Sequence, residues 1–408
     1  MKFSKLSQLF LVSTTGLLVA TLLCACQIVT IDYVFVASSA GSGSSSDGQI
    51  DIFAVDSESG ALRTAVSPAS SGGVSPSAMA VTSNFENLYV ANQGSNNVVH
   101  FAIAPNGALT QKDVFKTSAP PLYLAVNTAG TYMYVLTSDG SGPDTAAITS
   151  VVLGSDGAIG AASAPIVLSL SGYAGDTLIP TGLTVLANNA AVYASVYDLS
   201  AYNPGGTTTS TANPGWVFGF QVGSGGALSA APFSPYKAGV KPTALASDPT
   251  NRFVYVTDFA SNELIGYSIQ SGYLLHFLIN GPFKTGNEPQ AVTIDPRGKY
   301  IYVANALDSS VSAYAIDLTT GTPTAAVNVT GSSTNYTDTL PVSILVDPAL
   351  GRFVYTANHL GDSVSGFRLD PNSGSLMPTQ STPYPCGAAP TAVASVPHGS
   401  HSLQAVNP

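Results

Sequence analysis

Seven tyrosines and seven prolines recur along this chain at a nearly constant offset, and the two series are out of phase. The tyrosines are Tyr33, Tyr89, Tyr134, Tyr193, Tyr255, Tyr302 and Tyr355; the prolines are Pro76, Pro121, Pro180, Pro242, Pro289, Pro341 and Pro390. Pro precedes Tyr by 13 residues in five pairs and by 14 in the sixth, where the turn Asp347-Pro-Ala-Leu-Gly351 holds one extra residue. A third apolar stretch follows every Tyr, at residues 50–55, 98–103, 148–153, 217–222, 264–269, 311–316 and 364–369. Each is closed by a turn glycine: Gly60, Gly107, Gly157, Gly226, Gly272, Gly321 and Gly374. The stretches are short and separated by Gly, Pro, Asn and Asp, so they read as antiparallel strands. One such meander cannot bury its apolar face and needs copies beside it.

Tyr33 has no Pro strand before it, and Pro390 has no Tyr strand after it. Residues 390–395 therefore supply the inner strand that the first unit lacks. A ring closed by both ends of the chain leaves only short, protected sheet edges. The predicted fold is all-β: a seven-bladed β-propeller of four-stranded antiparallel blades, its first blade completed by the C-terminal strand.

The repeats run from Tyr33 onward, so the first residues form a separate leader. Lys2 and Lys5 precede an apolar run, residues 9–23, which is short for a membrane span. Leu23-Cys24-Ala25-Cys26 follows and resembles a bacterial lipobox, with a small residue before the acylated cysteine. The expected organisation is a signal peptide at 1–25, an acylated Cys26 with a tether at 26–32, a propeller at 33–396 and a tail at 397–408. The chain is expected to be exported and anchored in the bacterial cell envelope by lipid on Cys26 alone. That leaves Cys386 without a disulfide partner.

A net charge of −10, with 9% charged residues, excludes nucleic acid as a partner, because phosphate binding needs clustered Lys and Arg. The histidines share no metal-ligand spacing, and no phosphate-binding loop, dinucleotide fingerprint or nucleophile elbow occurs. No cofactor is expected, and the chain is expected to be a monomer. Turns between first and second strands are tight. Longer segments fall at 138–145, at 197–215 before the only Trp, Trp216, and in the connections 161–179, 229–241, 275–288 and 322–340. All of these are expected on one face, where a rigid scaffold carries its binding loops.

The steps Tyr255-Val-Thr-Asp258, Tyr302-Val-Ala-Asn305 and Tyr355-Thr-Ala-Asn358, with their Pro strands and Asp-Pro turns, resemble the YVTN-type repeat. More broadly the chain resembles the β-propeller lactonase family, which includes bacterial 6-phosphogluconolactonases. The resemblance implies a site with an Arg-His pair opening one inner strand and a Glu after the Asn of a YVxN step. Here the inner strands open Pro242-Thr-Ala, Pro289-Gln-Ala and Pro341-Val-Ser, and Gln93, Phe259, Ala306 and His359 follow the second strands. Lactone opening needs a base to activate water and a donor or cation for the developing oxyanion. The nearest residues of those types on the long-loop face are Glu288, His359, Lys241 and Asp258. With the family's residues replaced, the expected function is a non-catalytic binding or scaffold module that meets an envelope protein or glycan on that face. The alternative is a sugar-lactone hydrolase.

Overall fold

The computed structural model describes residues 29–39, 46–170, 175–202, 214–327 and 331–399. Cys26, and with it the lipid-anchor expectation, lies outside them. The described chain forms seven antiparallel sheets. Their innermost strands are Pro76–Val81, Pro121–Val126, Leu178–Val185, Pro242–Ser247, Pro289–Ile294, Pro341–Val346 and Pro390–Pro397. Each neighbours the next around a closed ring. Ring closure is as the sequence requires: Pro390–Pro397 pairs antiparallel with Thr30–Ser38, Phe35 lying opposite Ala394.

Second strands such as Phe253–Asp258, Tyr300–Asn305 and Phe353–Asn358 are buried along their whole length. Neighbouring blades cover both of their faces, which is why they read as continuous apolar runs. The core is accordingly shared between blades, as where Tyr302 and Ala304 of one blade pack with Ile344, Val354 and Phe367 of the next. The Asp-Pro turns hold their shape through the Asp side chain. Asp295 is fully buried and accepts hydrogen bonds from the backbone amides of Lys299 at 2.6 Å and Tyr300 at 2.8 Å.

One expectation changes. The segments 229–241, 275–288 and 322–340 are not open connections. Each carries part of an outermost strand broken in two. Leu228–Ala230 and Tyr236–Lys237 both pair with Gly215–Val222, and Leu275–Phe277 and Phe283–Lys284 both pair with Glu263–Ile269. Pieces of two or three residues carry too little alternation to show in the sequence.

Candidate functional site

The rim of the central channel is built where each chain segment turns into an innermost strand. At this rim the amide following a second strand donates to the carbonyl of the residue before an inner-strand Pro. Phe259 donates to Lys241 at 2.9 Å, Ala306 to Glu288 at 2.9 Å and His359 to Leu340 at 2.8 Å. Repeated hydrogen bonds thus place Lys241 and Glu288 at equivalent points of adjacent blades. Glu288 has φ +54°, a left-handed conformation that costs of order 1 kcal/mol in an L-residue. Ser75, Leu340 and Ala389 share it at the same place in their blades. The strain therefore belongs to the architecture of the rim.

Asp258 is buried, and both of its oxygens are taken. Oδ2 accepts from the Val240 amide at 2.8 Å; Oδ1 accepts from the amides of Lys241 at 2.9 Å and Ala260 at 3.2 Å. A Cβ on Gly239 (φ +71°) would lie 2.1 Å from Oδ2, so only glycine lets the carboxylate reach these amides. Asp258 therefore sets the backbone of Lys241.

The Lys241 ammonium lies among aromatic rings, 4.2 Å from the ring centre of Phe259, 5.2 Å from Tyr202 and 5.7 Å from Tyr197. Such faces attract a cation by their quadrupoles. Burial pulls the Lys241 pKa below its ordinary value, and the Glu288 carboxylate opposes that pull. Tyr197 and Tyr202 meet edge to face at 5.5 Å. Burial, and then the charges of Asp258 and Glu288, push the Tyr202 hydroxyl up. Tyr123 of the Pro121–Val126 strand is half-buried against the core of its blade and the next, and burial pushes its hydroxyl up to about 12.

Glu288 is half-buried, and its amide donates to Asn262 Oδ1 at 2.8 Å. His359 stands apart, at the seam between last and first blades, with Nδ1 3.1 Å from the Pro390 carbonyl. A carbonyl only accepts, so Nδ1 is the donor in this contact. Of the four residues singled out from the sequence, the fold brings Lys241, Glu288 and Asp258 together; none of His359's described contacts is with them. The walls of the Lys241 site, Tyr197 and Tyr202, were not singled out. Their one signal is that Tyr197 opens the insertion at 197–215.

A seven-bladed propeller whose channel rim sets a cation in an aromatic socket, with a carboxylate at the equivalent point of the next blade, is the class defined so far. The sequence matches the family described as lactonase, 7-bladed β-propeller, over residues 25–114 and 228–401. The chain belongs to that family. Among solved structures it resembles a periplasmic gluconolactonase of Pseudomonas aeruginosa, at 18% identity and TM-score 0.72, covering 91% of this chain and 100% of that one. It also resembles a provisionally assigned 6-phosphogluconolactonase of Bacteroides uniformis, at 17% identity and TM-score 0.71, covering 90% of this chain and 100% of that one. No curated protein matches the sequence.

Family membership corrects the expectation of a non-catalytic scaffold in the envelope. The family match spans most of the blades, whereas the missing Arg-His and Glu concern single rim positions.

Proposed function

We propose that this chain hydrolyses a lactone at the channel rim. Glu288 acts as general base and Lys241 as the cation facing the developing oxyanion. A water oxygen adds to the lactone carbonyl carbon while Glu288 takes its proton. The tetrahedral oxyanion forms against the Lys241 ammonium. Collapse breaks the ring C–O bond, and the proton held by Glu288 passes to the departing alkoxide, leaving a hydroxy acid. Asp258 is a positioning residue, because its carboxylate sets the Lys241 backbone. The aromatic socket shields the half-buried ammonium on one side, and its charge acts more strongly in a drier setting.

The observation that carries this reading is the placement of Lys241 and Glu288 at equivalent inner-strand starts of adjacent blades, at the rim of a lactonase-family propeller. Export by the leader and acylation of Cys26 belong to the same proposal, so that the enzyme meets its substrate outside the cytoplasm. The test is hydrolysis of a panel of lactones by the full-length protein in detergent, corrected for spontaneous opening. Lys241→Met and Glu288→Gln are each expected to lower kcat/KM about 100-fold with the fold intact. A wild-type protein that adds nothing to the spontaneous rate on any lactone would end this reading.

A further inference from the structure

We infer that the rim selects a lactone whose sugar carries no phosphate. This rests on the lactone-hydrolase reading and narrows it. Beyond the leader the sequence has 11 Lys and Arg, and the stretches 40–45, 171–174, 203–213 and 328–330 contain none of them. Residues 26–28 and 400–408 also lack them, so every lysine and arginine beyond the leader is among the described residues.

Those cations are spent elsewhere. Arg252, Arg297, Lys299 and Arg352 lie in turns between first and second strands, on the face opposite the rim. There Arg297 Nε donates to Asp295 at 2.8 Å and Arg252 Nε lies 3.5 Å from Asp248. Lys284 pairs with Glu263 at 2.8 Å, and Lys237 stands 3.5 Å over the Trp216 ring. Arg63, Lys112, Lys116 and Arg368 sit on third and outermost strands. Lys241 alone is at an inner-strand start.

Among the described residues around Lys241 and Glu288, the backbone amides are already engaged. The amides of Val240 and Lys241 go to Asp258, and that of Glu288 goes to Asn262. Those of Phe259, Ala306 and His359 go to carbonyls. A phosphate dianion is held by clustered, often bidentate, cationic donors or by a nest of unpaired amides. Here it would find one ammonium, already facing Glu288, while a second rim carboxylate, Asp258, adds to the like charge. The rings of Tyr197 and Tyr202 suit the apolar C–H face of a neutral sugar, as aromatic faces suit any apolar surface.

The experiment compares glucono-1,5-lactone with its 6-phosphate, using full-length protein in detergent and subtracting spontaneous opening. The unphosphorylated lactone should have the higher kcat/KM by at least about 10-fold, as like-charge juxtaposition at a binding surface is costly. Calorimetric titration with gluconate and 6-phosphogluconate gives a readout independent of turnover. Gluconate should bind at least ~10-fold more tightly, and Glu288→Gln should narrow that gap by removing a repelling charge. Equal or faster turnover of the 6-phosphate overturns this inference while leaving a lactonase in place. Turnover of neither sugar lactone, with neither acid bound, overturns this inference too, and the reading beneath it falls with it only when no lactone of the panel is hydrolysed.

Discussion

The hydroxyl of Tyr355 donates a 2.7 Å hydrogen bond to the carbonyl of Gly60, tying the last blade to the first across 295 residues of sequence. The same bond runs from Tyr255 to Gly321 at 2.6 Å and from Tyr302 to Gly374 at 3.0 Å. With Tyr89, which donates to Gly157 at 2.5 Å, four of the seven recurring tyrosines hold the recurring turn glycine of the next blade. Gly60 (φ +69°) has no room for more, since a Cβ there would lie 2.3 Å from the Phe353 ring.

Removing either half of that contact should loosen ring closure. Tyr355→Phe leaves the Gly60 carbonyl without its buried donor and is expected to cost about 1–2 kcal/mol. Gly60→Ala adds backbone strain and a steric clash, and should cost more, about 2–3 kcal/mol. Denaturant unfolding of the two variants checks the order; Gly60→Ala as stable as the parent would refute it.

The alkaline limb of kcat/KM should report Lys241. Burial pulls its pKa below the ordinary 10.5, so activity should fall at lower pH than for an exposed lysine. Lys241→Arg keeps its charge throughout and should abolish that limb. In Glu288→Gln the carboxylate no longer opposes the burial, so Lys241 should titrate lower still, as followed by side-chain NMR. An unchanged limb in Lys241→Arg would remove Lys241 from the reaction.

Asp258→Asn replaces an acceptor with a donor that cannot serve the amides of both Val240 and Lys241. The Lys241 backbone should shift, lowering kcat about 10-fold with little change in KM, as expected for misplacement of a group acting in the transition state. A rise in KM alone would mark Asp258 as part of the binding surface instead.

A different carboxyl should govern stability against pH. Asp32 is fully buried in Thr30–Ser38, its carboxyl close to that of Asp347 and to the Ala349 backbone. Burial first, and then the neighbouring charge of Asp347, hold its pKa well above the ordinary 3.8. The folded state thus keeps a proton that the unfolded chain gives up. Stability from this group is full below pH 3.8 and is lost as pH rises toward the raised native value. The slope is about 1.4 kcal/mol per pH unit within that window. Asp32→Asn should flatten the loss and make the protein more stable than the parent at pH 7. A less stable Asn variant at pH 7 would contradict the account.

Ring closure was legible because the Pro and Tyr series could be counted, and one was missing at each end of the chain. The buried tyrosines and Asp-Pro turns were legible for the same reason. The split outer strands were not. Strands of two or three residues, exposed on one side, carry no periodicity of their own. For the rim, residue type and position in the repeat pointed to Lys241, Glu288 and Asp258. Neither could show that the Asp258 oxygens are filled by amides, or that His359 stands at a different seam.

The sequence by itself determined the number of blades, their strand order and the way the ends join, because each is a matter of spacing along one chain. Only the tertiary structure decided which rim residues meet. The Lys241 site gathers Tyr197 and Tyr202 from one blade, Phe259 from a second and Glu288 from a third. Such neighbours are set by the curvature of the ring, and no spacing along the chain records them.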